Sequence, residues 1–268
     1  MQSSAPAERR NLLFRILSGL ALAPPFLALA WWGGPVFPLV VALGGAFGLR
    51  EWFRMVSGRP VIAAYIALAG CLGAYQIGGV QMSLEIMAGM TVILMAVARL
   101  ADSAHAVLAG LGLPYVGLTV IALPWLRDTG EWPLVLLVLL IVWATDIGGF
   151  VAGRSFGGPK MAPRISPKKT WSGFAGSLAL AAVAGWGWAV FFEASQPIDA
   201  ILIAIGLSLV GQGGDLFESA MKRRFHLKDS GGMIPGHGGV LDRIDAMLAI
   251  VPVFALMHAS DMTAGLLP

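Results

Sequence analysis

The sequence predicts an all-α fold: a polytopic bundle of about nine transmembrane helices with its N-terminus on the cytoplasmic side. Three observations lead there. The 268 residues are 57% hydrophobic and only 12% charged, with a mean hydropathy of +0.78. A soluble chain of this length carries roughly twice that charged fraction, so lipid is the natural solvent for this one. Apolar runs of about 20 residues, the length that crosses a hydrocarbon core of roughly 30 Å, recur along the whole chain. With nine crossings, every Lys and Arg except Arg127 falls on one side, as the positive-inside bias of short loops requires. A missed or extra crossing in the first half would place the second-half charges on the wrong side. The net charge of +3 does not indicate a nucleic-acid partner, because the basic residues sit in short loops and form no continuous face.

The spans fall near 12–32, 35–49, 61–80, 84–99, 106–126, 133–153, 172–192, 198–220 and 243–260. The first is too long for a cleavable signal and no small-residue cleavage site follows it, so it is read as a retained helix, kinked at Pro24-Pro25. The second is short, and the third and fourth are rich in glycine. Trp31, Trp32, Trp125, Trp132 and Trp171 suit interfacial belts. Gly44/Gly48 and Gly149/Gly153, each pair four residues apart, let helices approach closely. Cys71, the single cysteine, lies in an apolar stretch and excludes an intrachain disulfide or a cysteine-rich metal site. No strong internal repeat is visible. Within one membrane domain the chain divides into a structural half, 1–132, and a half that carries the chemistry, 133–268.

In that second half, polar residues gather at the basic side. Residues 153–171 contain Arg154, Lys160, Arg164, Ser166, Lys168, Lys169 and Thr170 among prolines and glycines, which shape a loop that cannot be helical throughout. Its five cations can neutralise a polyphosphate or anionic lipid head groups, or serve only to set topology. In the eighth span Asp215, Glu218, Ser219 and Lys222 fall at i, i+3, i+4 and i+7 and share one helical stripe. A carboxylate such as Asp215, at the end of the apolar run 201–210, is costly in a membrane and usually functional. Lys228 and Asp229 lead into a glycine-rich loop with His237, Gly238 and Gly239, whose backbone N–H groups can turn toward an anion. Asp242, Arg243 and Asp245 open the ninth span. Two acids three residues apart share a helix face and can bind a hard cation, or simply favour the positive end of the helix dipole. Asp146 lies about two turns from the cytoplasmic end of the sixth span, where it needs a partner, a metal or a water-filled cavity. Acids able to hold Mg²⁺ beside Lys and Arg able to hold phosphates are the parts that phosphoryl and nucleotidyl transfer use. No serine triad or cysteine nucleophile is apparent, so direct transfer is the simpler chemistry.

The run from Ser219 to Asp245 resembles the signature of the phosphatidate cytidylyltransferases, or CDP-diacylglycerol synthases. Ser219, Lys222, Arg223, Lys228, Asp229, Gly231, Ile234, Pro235, His237, Gly238, Gly239, Asp242, Arg243 and Asp245 fill that pattern without a gap. Ile165 to Trp171 and Gly214 to Ser219 also look like family segments, and the similarity runs from Val142 to Asp245. One departure is Ser172, where many members place Glu before the glycine here numbered Gly173. The resemblance implies that CTP and phosphatidate, drawn from the membrane lipid, give CDP-diacylglycerol and pyrophosphate with Mg²⁺ and up to one further cation. It also implies a homodimer in the plasma (inner) membrane with the active site at the cytoplasmic face. It assigns Asp215 and Asp242 as metal ligands, with Asp146 and Asp245 as supporting acids. Lys168, Lys169, Lys222, Arg223 and Lys228 would hold the triphosphate and the lipid phosphate, with Arg164, Ser166, Ser219, Asp229 and Arg243 as further substrate contacts. His237, Gly238 and Gly239 would form the nucleotide loop.

Two rivals share parts of this reading. A CTP-dependent polyprenol or lipid-alcohol kinase would use the same metal and cations to move the γ-phosphate onto a hydroxyl. A cation-coupled transporter would use buried acids as an ion path, but here the polar residues cluster at one face and none lines the first five spans.

Overall fold

The computed structural model describes residues 24–57, 62–101, 103–232 and 238–266. The described part of a first helix, α1, covers 24–32, and the expected kink at Pro24-Pro25 lies at the edge of the described residues. There follow α2 (Val36–Ser57), α3 (Ile62–Leu100), α4 (Ala106–Thr129) and α5 (Glu131–Phe156). A ribbon of β1 (Lys160–Ala162) and β2 (Ser166–Thr170) comes next, then α6 (Trp171–Phe191), α7 (Pro197–Arg224) and α8 (Leu241–Ala259). Each predicted span is thus helical over its described residues, and six of the helices are long and apolar enough to cross a membrane.

The third and fourth predicted spans are the two arms of α3, which breaks at Gly79 with φ 73° and ψ −166°. The Ser83 hydroxyl donates to the carbonyl of Cys71 at 2.7 Å. A straight helix would hold residues twelve apart at roughly 18 Å, so the arms double back. Only a residue without Cβ adopts that backbone cheaply.

The second predicted span ends too early. The span expected over 35–49 continues to Ser57 as α2, with Glu51 and Trp52 each 1% exposed. Likewise α7 runs past residue 220 to Arg224. The all-α expectation needs one correction, the antiparallel ribbon in which Lys160 pairs with Thr170 and Ala162 with Ser166. Gly157, Gly158, Pro159 and Pro163 prevent a helix there, and the ladder satisfies the loop's backbone groups instead. Thr170 then caps α6, its hydroxyl accepting from the Gly173 N–H at 3.1 Å.

Helix α4 sits centrally, packed against α2, α3, α5 and α8, and its Leu113, Val116 and Leu126 belong to the same buried core as Leu134, Leu137 and Ile141 of α5. The broadest contact is α5 on α6. Its seam is made of small residues. A Cβ added at Gly176 would stand 2.7 Å from the Gly148 carbonyl, and one at Gly149 would stand 2.7 Å from the Ser177 hydroxyl. The outer faces expose Ile66, Val183, Trp186, Val190 and Leu202, as lipid contact requires. At the end of the bundle away from the ribbon, Arg127 donates to the carbonyls of Ala30 and Trp31 and so ties α4 to α1.

Candidate active site

Helices α5, α6 and α7 and the ribbon enclose a cavity of about 250 Å³. Asp146 and Thr145 of α5, Lys168 and Lys169 of β2, Ser177 of α6, and Gln212 and Asp215 of α7 line it. Gly149 and Gly173 of the glycine seam are on its wall, and a Cβ at either would collide across the seam, 2.7 Å from the Ser177 hydroxyl and 2.8 Å from the Gly149 carbonyl respectively. Most of its hydroxyls are engaged internally. Thr145 donates to Ser208 at 2.8 Å and Ser177 donates to the Thr145 carbonyl at 2.7 Å. Lys169 pairs with Asp215 at 2.7 Å, and Ser219 donates to the other Asp215 oxygen at 3.3 Å. Gln212, one turn before Asp215 and 8% exposed, presents an amide nitrogen with no hydrogen-bond partner in the structure.

Asp245 lies near enough to Asp215, Glu218 and Asp146 to feel their charge. The approach is built into the backbone, since a Cβ at Gly214 would stand 2.9 Å from the Asp245 carbonyl, so α7 and α8 nearly touch there. Asp146, Asp215 and Asp245, on three helices, thus lie within electrostatic range of one another. Among the described residues, no three Asp, Glu, His or Cys side chains stand close enough to enclose an ion alone. Mg²⁺ typically takes one or two carboxylates and completes its shell with water and substrate phosphate, so Asp215, Asp146 and Asp245 fit a hard cation shared with a polyphosphate.

Beside the cavity, Lys222 is held between two carboxylates. It pairs with Glu218, which is fully buried, and with Asp242 Oδ1 at 2.5 Å. The other Asp242 oxygen accepts from the Ser230 N–H at 3.0 Å, the Ser230 hydroxyl at 2.9 Å and the Gly239 N–H at 2.8 Å. Burial pushes the Asp242 carboxyl up, but Lys222 and those N–H donors outweigh it and hold the group below the ordinary carboxylate range. Asp242 therefore closes the glycine-rich loop onto α8, and most of its acceptor capacity is already engaged by protein.

The remaining predicted residues divide by position. Lys168, Arg164, Arg223, Lys228, Asp229 and Arg243 are exposed, while Ser166 is half-buried in the ribbon. Arg223 donates to the Ile165 carbonyl at 3.3 Å and pins the ribbon's turn to the end of α7. Gly238 has φ 80° and Gly239 faces Asp242, whereas His237 lies outside the described residues. Ser172, at the family's acidic position, donates to the Gly157 carbonyl and closes the ribbon's entry.

Three residues escaped the sequence reading. Gln212 carries no charge to mark it. Tyr115 of α4, whose buried hydroxyl has no partner in the structure, lies within electrostatic reach of Glu218, Asp245 and Asp215. Glu51 accepts from the Val240 N–H at 3.0 Å, the Leu241 N–H at 2.8 Å and the Ser230 hydroxyl at 3.0 Å. Glu51 lies between Arg50 and Arg54 in sequence, and the signal that could have found it is an acid placed directly before the large apolar pair Trp52-Phe53.

Fold and site together define an integral membrane protein with cations and acids gathered around one cavity at the ribbon end of its helices. A model of the cytidylyltransferase family matches residues 13–260. The phosphatidate cytidylyltransferase of Brucella suis biovar 1 (strain 1330) is 35% identical over 257 residues, covering 93% of this chain and 94% of that one. That of Rickettsia felis (strain ATCC VR-1525 / URRWXCal2) is 32% identical over 254 residues, 92% of each. The chain belongs to the cytidylyltransferase family.

Proposed function

We propose that this protein is a phosphatidate cytidylyltransferase, joining CTP to phosphatidate to form CDP-diacylglycerol and pyrophosphate at the cytoplasmic end of the bundle. The carrying observation is the single cavity in which Lys168 and Lys169 meet Asp146 and Asp215 beside the converging acid Asp245. A phosphate oxygen of the lipid attacks the α-phosphorus of CTP, and pyrophosphate leaves with the electrons of the broken P–O bond. Lys168 and Lys169 hold the triphosphate; Lys169, now on Asp215, is positioned to turn to a phosphate oxygen. The Gln212 amide donates to an acceptor of the bound nucleotide. Arg223 holds the ribbon over the site, and Lys222, Asp242 and Ser230 orient the loop beside it. Asp215, with Asp146 and Asp245, would hold Mg²⁺, which would supply charge neutralisation on the triphosphate. Asp242 moves from the liganding role expected of it to an orienting one, because its oxygens already hold four donors.

The same reading takes nine crossings, a cytoplasmic N-terminus, the inner membrane and a homodimer. A lipid-alcohol kinase would use similar parts, and the products decide between them. Purified protein in detergent, given labelled CTP, phosphatidate and Mg²⁺, should yield labelled CDP-lipid and unlabelled lipid should consume CTP one for one with pyrophosphate released. CDP with a newly phosphorylated lipid would sink the proposal.

A further inference from the structure

We propose that Glu51 is the resident anion of the glycine-rich loop, a positioning residue that occupies the backbone N–H groups a phosphate would otherwise take. The glycine pattern alone suggests a phosphate cradle, in which N–H groups turn toward a bound anion. Here four of the described N–H groups turn toward carboxylates of the protein. Those of Val240 and Leu241, at the N-terminal end of α8, donate to Glu51, and those of Ser230 and Gly239 donate to Asp242. A helix N-terminus favours negative charge, and Glu51 supplies it from 1% exposed surroundings.

Gly231 is explained by this carboxylate, and Gly239 by it together with the Ser230 hydroxyl. A Cβ at Gly231 would stand 2.3 Å from Glu51 Oε1, and one at Gly239 would stand 2.4 Å from Glu51 Oε2. Both lie at the described ends of the loop, on either side of 233–237. One side chain from α2 therefore clamps the two ends together, with the Ser230 hydroxyl between Glu51 Oε2 and Asp242 Oδ2 at 3.0 and 2.9 Å. Through Asp242 the clamp also sets Lys222, which shares that carboxylate. The N-terminal half thus contributes to the site not by touching substrate but by fixing the element that borders it. The effect on turnover rests on the proposed reaction; the occupancy of the N–H groups does not.

Two measurements test this. In the wild-type enzyme, amide hydrogen exchange across 238–242 should be slow without nucleotide and change little when CTP and Mg²⁺ are added. Fast exchange that becomes slow only with CTP would overturn the proposal, and this readout is independent of the reaction catalysed and of how any variant folds. In a variant cycle, Glu51→Gln should lower kcat at least tenfold while leaving KM for CTP within about twofold, since no substrate contact is lost. Gly231→Ala should be comparably damaging in the wild-type background and add little in Glu51→Ala, because the carboxylate it collides with is gone. A rise in KM for CTP at unchanged kcat, or fully additive losses in the cycle, would refute the clamp.

Discussion

Lys169 and Lys222 are both lysines of the family signature segments, yet their surroundings give them different work. Lys169 faces the cavity with one carboxylate partner, whereas Lys222 is enclosed by Glu218 and Asp242. Lys222→Ala should therefore act on folding first. It removes the ion-pair partner of the buried Glu218 and one of the four donors to Asp242, a loss of about 3 kcal/mol, read as a lower midpoint of thermal unfolding in detergent. Lys168→Ala should leave that midpoint unchanged and raise KM for CTP or phosphatidate, by about 2 kcal/mol of lost charge-assisted contact. A midpoint lowered only in Lys222→Ala, with a raised KM at unchanged midpoint in Lys168→Ala, would support the division; the reverse pattern would exchange the two roles. Asp215→Asn keeps the shape and removes the charge, and should cost more than tenfold in turnover, about 1.4 kcal/mol or more. Retention of most activity would move the metal to Asp146 and Asp245. Asp215 was legible in the sequence because an ionisable group at the end of an apolar run is conspicuous, and the lysines because they fall in a basic glycine- and proline-rich loop and a polar helical stripe. Glu51 was not, since its burial depends on α8, which arrives far later in the chain, and Gln212 was not, since a neutral amide in a helix has no signature until its cavity is seen.

Helix positions were legible to within a few residues because apolar length is the dominant signal in lipid. The ends were less so where charged residues continue a helix into the site, as at the C-terminal turns of α2 and α7. The ribbon could be foreseen as non-helical from its glycines and prolines, but its strand pairing could not, because three- and five-residue strands carry no period to read. The seam between α5 and α6 was announced by Gly149 and Gly153 and proves wider, taking in Gly148, Gly173 and Gly176. Gly176→Val should separate these helices, since even a Cβ would stand 2.3 Å from that of Ala152. A stability loss of about 1–3 kcal/mol is expected from such overpacking. Gly187→Ala, where a Cβ meets nothing within 4 Å, is the matched control and should melt like the wild type.

At the scale of the whole molecule, the charge asymmetry and the position of the cavity make one prediction. The ribbon, the cavity and the glycine-rich loop should all lie on the cytoplasmic side, with Arg127 and its carbonyl partners on the other. A cysteine placed at Ser166 should resist a membrane-impermeant thiol reagent applied to intact cells and react once the cells are opened. Labelling from outside would reverse the proposed orientation and the access of cytosolic CTP with it. The division into a structural and a chemical half, natural from the sequence, is softened by α2 and α4, which bring Glu51 and Tyr115 to the second half's site.

The reach of Glu51 also bears on how the protein is born. Its nearest backbone donor on the far side, Val240, is 189 residues downstream. At ribosomal rates of roughly 5–20 residues per second, about 10–40 s separate the synthesis of the carboxylate from that of the groups that receive it. For that interval the second helix stands in the bilayer's edge with its acid awaiting a last helix not yet made. A nascent chain that stalls before α8 therefore carries at the heart of its bundle an acid still without those two backbone donors.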